Sequence, residues 1–244
     1  MEQEEWSGYV ARLAKGAIPL PMEMIKDYSD WRCRSTVGRA LFYYKDTEAA
    51  MRVLSTVVNV NPNMEDAPEY GLSEAEHKVL CLRDIAEIVW ELAHADQAAL
   101  MYLRQADEIG RAYKHFFRNA VRGEIFYRRL TLLLEIGKEA KAVEEAEAMQ
   151  AAETTTREGV NSYKYYALRF LAEHEHRQGN DERACELWAE AFKVYPLSER
   201  GEQAVAAAGT QSTLAGKIKA YQKCAATKYK HWEKLPELKL RRDL

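Results

Sequence analysis

Residues 178–196, QGNDERACELWAEAFKVYP, leave the chain few choices. Gly179 can take the positive φ that ends a helix, and Pro196 cannot continue one. One short helix is therefore bracketed between them. Ala184 and Ala191 lie seven residues apart on one face of it, with Trp188 between them. A large side chain flanked by two small ones lets a neighbouring helix come very close. Upstream, Leu168, Leu171 and Ala172 give a second helix its inward stripe. The smallest unit is thus a helical hairpin with a tight turn.

The pattern recurs. Ala50, Leu54 and Val57 precede Pro62; Ala99, Leu103 and Ala106 follow His94; Ala142, Ala146 and Met149 follow Gly137. Gly38, in mid-helix, costs roughly 1 kcal/mol against Ala and calls for a packing reason. The Gly-x4-Ala-x3-Trp-x2-Ala-x4-Pro spacing resembles the second half of a tetratricopeptide repeat (TPR), and that pattern places a small residue at Gly38 against the second helix. Aligned turn residues Lys45, His94, Gly137 and Gly179 fall 49, 43 and 42 residues apart. A standard repeat has about 34, so the chain is similar to TPR arrays with long helices.

The resemblance covers residues 29–196 and is strongest in the first and fourth hairpins. It implies an all-α fold, a right-handed helical-hairpin solenoid of about four repeats with capping helices at both ends, forming one domain. Its parts are an N-terminal helix and Pro-containing linker (1–28), four hairpins (29–196), capping helices (197–232) and a basic tail (233–244) expected to fray. Within that frame the expected helices are 2–15, 22 or 29 to 44, 47–59, and a long one opened by the Ser73–Glu76 capping box. Ile85, Ile88, Val89 and Leu92 give that long helix its apolar positions. A single helix of roughly 39 Å is expected from Arg111 to Ile136, then helices 158–177, 199–208 and 214–232.

Composition narrows the function. The net charge of −3 supplies no field to recruit nucleic acid, which is not an expected partner. Cys33, Cys81, Cys185 and Cys224 are far apart with no CxxC pair, as expected of reduced, mostly buried thiols. The start is acidic and no stretch approaches about 20 apolar residues; a cytoplasmic protein without a membrane span is expected. No GxxxxGK[ST], GxGxxG or GxSxG occurs, so neither an enzyme nor a cofactor is expected. His174 and His176 stand two apart and diverge by about 200° on a helix, whereas a shared metal wants a spacing of four; no metal is expected.

Two surfaces remain. Arg111, His115, Arg118, Arg122 and Arg129 share a helical face and would form an anion stripe, or a solvated face paired with the acids of 139–147. Arg129 also falls at an inward, normally apolar position of the repeat. In TPR proteins the first helices line a concave groove. Carried across, this gives Arg32, Arg39 and Tyr43, then Asp84 and Ile88, then Glu124, Tyr127 and Thr131, and lastly Tyr166, Arg169, Glu173 and His176. The resemblance implies a non-enzymatic scaffold or adaptor whose groove binds a peptide or protein segment, the alternatives being a peptide-responsive regulator or a nucleic-acid or anion binder through the stripe.

Overall fold

Among the described residues three turn the backbone into the left-handed region: His94 (φ 47°), Gly137 (φ 76°) and Gly179 (φ 83°). They are the three aligned turn positions that fall among the described residues; Lys45 lies outside them. The computed structural model describes residues 31–43, 46–68, 72–113, 119–151, 162–194 and 198–226. At Gly137 the N–H of Lys138 bonds Leu133 O (2.8 Å) and that of Gly137 bonds Leu134 O (3.0 Å). Asn180 and Gly179 repeat this on Glu175 and His176 (2.9 and 3.1 Å). These paired bonds satisfy carbonyls that a helix end leaves open. The Asp46 N–H reaches Leu41 O over the same span (3.0 Å), and His94 bonds Val89 O.

The turns separate helices. The described residues form α1 (Trp31–Tyr43), α2 (Thr47–Ser55), α3 (Glu74–Ala93), α4 (Asp96–Ala112), α5 (Asn119–Glu135), α6 (Glu139–Ala151), α7 (Ser162–Arg177), α8 (Asp181–Lys193), α9 (Ser198–Gly209) and α10 (Leu214–Ala226). No strand occurs among them, and the fold is all-α. Local signals account for several starts. Asp46 caps α2 by accepting from Ala49 N at 2.9 Å. Ser73 and Glu76 form the expected capping box of α3.

Five, nine and twelve residues beyond each turn position stand Ala50, Leu54 and Val57; Ala99, Leu103 and Ala106; Ala142, Ala146 and Met149; Ala184, Trp188 and Ala191. All twelve are buried. The first of each set is alanine, fully buried in every hairpin. Gly38 has the packing reason its position calls for: a Cβ there would lie 2.6 Å from Leu54 Cγ on α2. Gly123, which the repeat pattern did not single out, has the same role on α5, where a Cβ would meet Ser162 O of α7 at 2.6 Å.

The chain divides into two compact units, one holding α1–α4 and the other α5–α10. In the first, α1 and α2 pair, α3 and α4 pair, and α3 packs on both α1 and α2. Its core joins Val37, Leu41, Phe42, Val53 and Leu54 to Cys81, Ile85 and Ile88. In the second, α7 packs in the same way on α5 and α6, and α8 pairs with α7 and also meets α9 and α10. Trp188 stacks there on Phe192 and Tyr221, centroids 5.9 and 6.2 Å away.

Three departures from expectation have physical causes. The helix expected over 111–136 is interrupted: α4 runs through Gly110 to Ala112, Tyr113 is extended, and α5 starts at Asn119. Buried Tyr113 donates its hydroxyl to Asp66 O, a partner 47 residues away. Leu92, expected in the apolar stripe of α3, is 61% exposed, one turn beyond buried Ile88 and next to the turn. Of the cysteines, Cys81 is buried and the other three are half-buried; none is in a disulfide. The expected helix 2–15, the linker after it and the basic tail lie outside the described residues.

Candidate functional site

Each unit places one first helix against the next, and each seam carries charged side chains. In the first unit Arg39 on α1 reaches Asp84 on α3, Nε to Oδ2 at 3.1 Å. Asp84 is fully buried and also accepts from Arg83 Nε and Nη2 at 2.8 and 2.7 Å. A buried carboxylate needs such donors to remain charged. Asp84 thus belongs to the seam, and only the 16% exposed side chain of Arg39 is open to solvent. Arg32, seven residues earlier, is 40% exposed and 4.0 Å from Asp66. Ile88 is buried in the core. The Tyr43 side chain lies outside the described residues.

Below this seam lies Lys78, which the sequence reading passed over. It is 1% exposed and donates to the carbonyls of Val57 (2.8 Å) and Val58, just past the end of α2. An ammonium at the carbonyl end of a helix is favourably placed, although burial pushes its pKa down. One turn on, burial and then the Asp84 carboxylate push the Cys81 thiol up to about 12. A buried thiol that stays protonated is no nucleophile.

In the second unit the expected groove residues of α5 and α7 meet. Tyr127 donates its hydroxyl to Glu173 Oε2, and Arg169 donates Nε to Glu173 Oε1 at 2.9 Å. The Arg169 guanidinium lies over the Tyr127 ring, 4.5 Å from its centroid. Tyr166 closes the cluster, 5.7 Å from Tyr127 and 4.9 Å from Tyr165. Burial, and then the Glu173 charge, hold the Tyr127 phenol well above its ordinary range. Tyr166 is buried, while Tyr127, Arg169 and Glu173 are partly open. Thr131 bonds back to Tyr127 O (3.0 Å).

The remaining candidates are otherwise engaged. Glu124 pairs with Arg128 at 3.2 Å. His176 pairs with Asp181 (2.6 Å) and His174 with Glu139 (2.7 Å), so the two histidines take separate carboxylates. Among the described residues no three histidines, cysteines or acids gather as a metal site. In the cationic stripe, Arg111 pairs with Asp107 at 3.0 Å on α4. On α5, Arg122 lies over Tyr163 (5.4 Å) and Arg129 pairs with Glu145 of α6 at 2.5 Å. That bond, with Phe126 under the guanidinium, is how an inward position tolerates Arg129. His115 and Arg118 lie outside the described residues. The break after Ala112 places Arg111 and Arg122 on different helices in different units.

Arg83 and Lys78 were missed because what marks them is tertiary: a buried acid beside one, and carbonyls 20 and 21 residues away from the other. No helix among the described residues is long and apolar enough to cross a membrane. Compared with protein families, with curated proteins and with solved structures, the chain matches none.

Proposed function

We propose that this chain is a TPR-like helical-repeat scaffold or adaptor that binds a peptide or protein segment along its first helices, without catalysis. The observation that carries the reading is the cluster of Tyr127, Tyr166, Arg169 and Glu173, built across α5 and α7 from positions equivalent in the repeat. Rigid aromatic and Arg side chains, here the partly open Tyr127 and Arg169 backed by buried Tyr166, are what anchor a bound segment. Stacked hairpins leave long surfaces suited to such contacts. The absence of a disulfide at all four cysteines accords with a cytoplasmic setting. The anion-binding alternative has less support, since Arg111 and Arg129 are already neutralised by Asp107 and Glu145.

The test is a selection of random displayed peptides on the immobilised full-length chain. Enriched peptides are expected to bind Arg169→Ala about tenfold or more weakly. They should bind Arg183→Ala, which removes an exposed cation on α8 paired to Glu186, as tightly as the unaltered chain. Absence of enrichment, or equal losses in both variants, overturns the reading.

A further inference from the structure

The bonds between Tyr127, Arg169 and Glu173 leave hydrogen-bonding capacity over, donor and acceptor side by side. An ionised carboxylate offers about four lone-pair sites, and a guanidinium carries several N–H donors. Glu173 gives one site to Arg169 Nε and one to the Tyr127 hydroxyl. Arg177 bonds the Glu173 main-chain carbonyl and leaves the carboxylate alone. Arg169 in turn gives Glu173 its inner N–H only. Among the described residues nothing accepts from its terminal nitrogens, and they are not sealed in the core. The Arg169 and Glu173 side chains are 20% and 24% exposed, so both can still be reached.

A donor beside an acceptor is the complement of a primary amide, which presents its C=O and its NH2 on one edge. A trans main-chain peptide unit points its C=O and N–H in opposite directions and can meet only one of the two. A carboxylate would suit Arg169 but set its charge against Glu173, and an ammonium would suit Glu173 but face Arg169. We infer that this pair reads the side-chain amide of an Asn or Gln in the bound segment. Arg169 donates to the amide oxygen, and Glu173 accepts from the amide nitrogen. The inference rests on the peptide-binding reading above and names the residue chemistry that the second unit selects. Both groups are held before the ligand arrives, Arg169 by Glu173 and the Tyr127 ring, Glu173 by its two bonds. Prior fixation lowers the entropy lost on binding.

The experiment aligns random displayed peptides selected on the full-length chain, then varies one synthetic parent peptide at the aligned position. The unaltered chain is expected to enrich Asn or Gln there. Peptides with Glu or Lys in place of that amide should bind roughly tenfold or more weakly. In Glu173→Gln, whose melting temperature checks that it folds, Arg169 loses its acid and the Glu peptide should overtake the Gln peptide. The three peptides compared on the unaltered chain decide the matter even where that variant does not fold. Enriched peptides with no amide position overturn the inference, and leave the groove standing if Arg169→Ala still weakens them. No enrichment removes both. An amide preference that is unchanged in folded Glu173→Gln is read elsewhere and also overturns it. Binding that ignores the side chain but is lost on N-methylation of one peptide bond shows main-chain recognition, and the inference fails.

Discussion

Cys81 and Tyr127 each hold a proton that an unfolded chain gives up sooner. Burial and a neighbouring carboxylate raise both pKa values, that of Cys81 from 9.0 to about 12 and that of Tyr127 above its ordinary 10.0. The folded state therefore binds more protons than the unfolded one once pH passes 9. The stability these groups contribute is complete below that value and lost as pH rises toward 12. Lys78 acts in the opposite sense, because burial lowers its pKa and the unfolded chain keeps that proton longer. Variants that leave Lys78 in place isolate the first effect. Melting temperature followed from pH 8 to 12 should fall less steeply in Cys81→Ala and in Tyr127→Phe than in the unaltered chain. An identical slope in all three would show that these protons are not held by the fold. At neutral pH the small cavity of Cys81→Ala costs about 1 kcal/mol.

At the scale of the element, the turns invite a direct comparison. A left-handed conformation is strained for any residue with a Cβ, and His94 adopts it where Gly137 and Gly179 stand in the next two turns. His94→Gly should stabilise the protein by under about 1 kcal/mol, since the relief of strain is partly offset by the entropy of glycine. Gly179→Ala should cost about 1 kcal/mol; a Cβ there meets nothing within 4 Å, so the cost is conformational alone. Chemical denaturation of the two variants checks both signs. These turns were legible in the sequence because their cause is local: glycine, alanine and apolar spacing sit within twelve residues. The break after Ala112 was not, because Tyr113 leaves the helix for a carbonyl of the distant Asp66 loop. Tyr127, Tyr166 and Arg169 were singled out in the sequence by the repeat spacing, and the fold brings their side chains together. Pattern put Asp84 in the groove, whereas the fold buries it against two arginines.

For the whole molecule, the two units make their cores from separate helices. Gly38 meets Leu54 in the first unit, while Ala184 is buried on α8 in the second. Ala184→Leu overpacks its site and should cost about 1–3 kcal/mol; Gly38→Ala must displace Leu54 and should also destabilise. Since the two sites lie in different compact units, the double variant should show the sum of the single effects within about 0.5 kcal/mol. A larger deviation in denaturant titrations would reveal coupling between the units. The spacing of the turns has a further consequence. Gly137 and Gly179 are followed by bonds of one pattern and by buried residues at the same offsets. Excising residues 138–179 would join the end of α5 to the start of α8 through a turn of unchanged form. A gene for such a chain can therefore lose or copy a block of 42 codons and still encode matched junctions, whereas a deletion that does not run from turn to turn cuts across a helix register. Inheritance in such a lineage would be counted in hairpins.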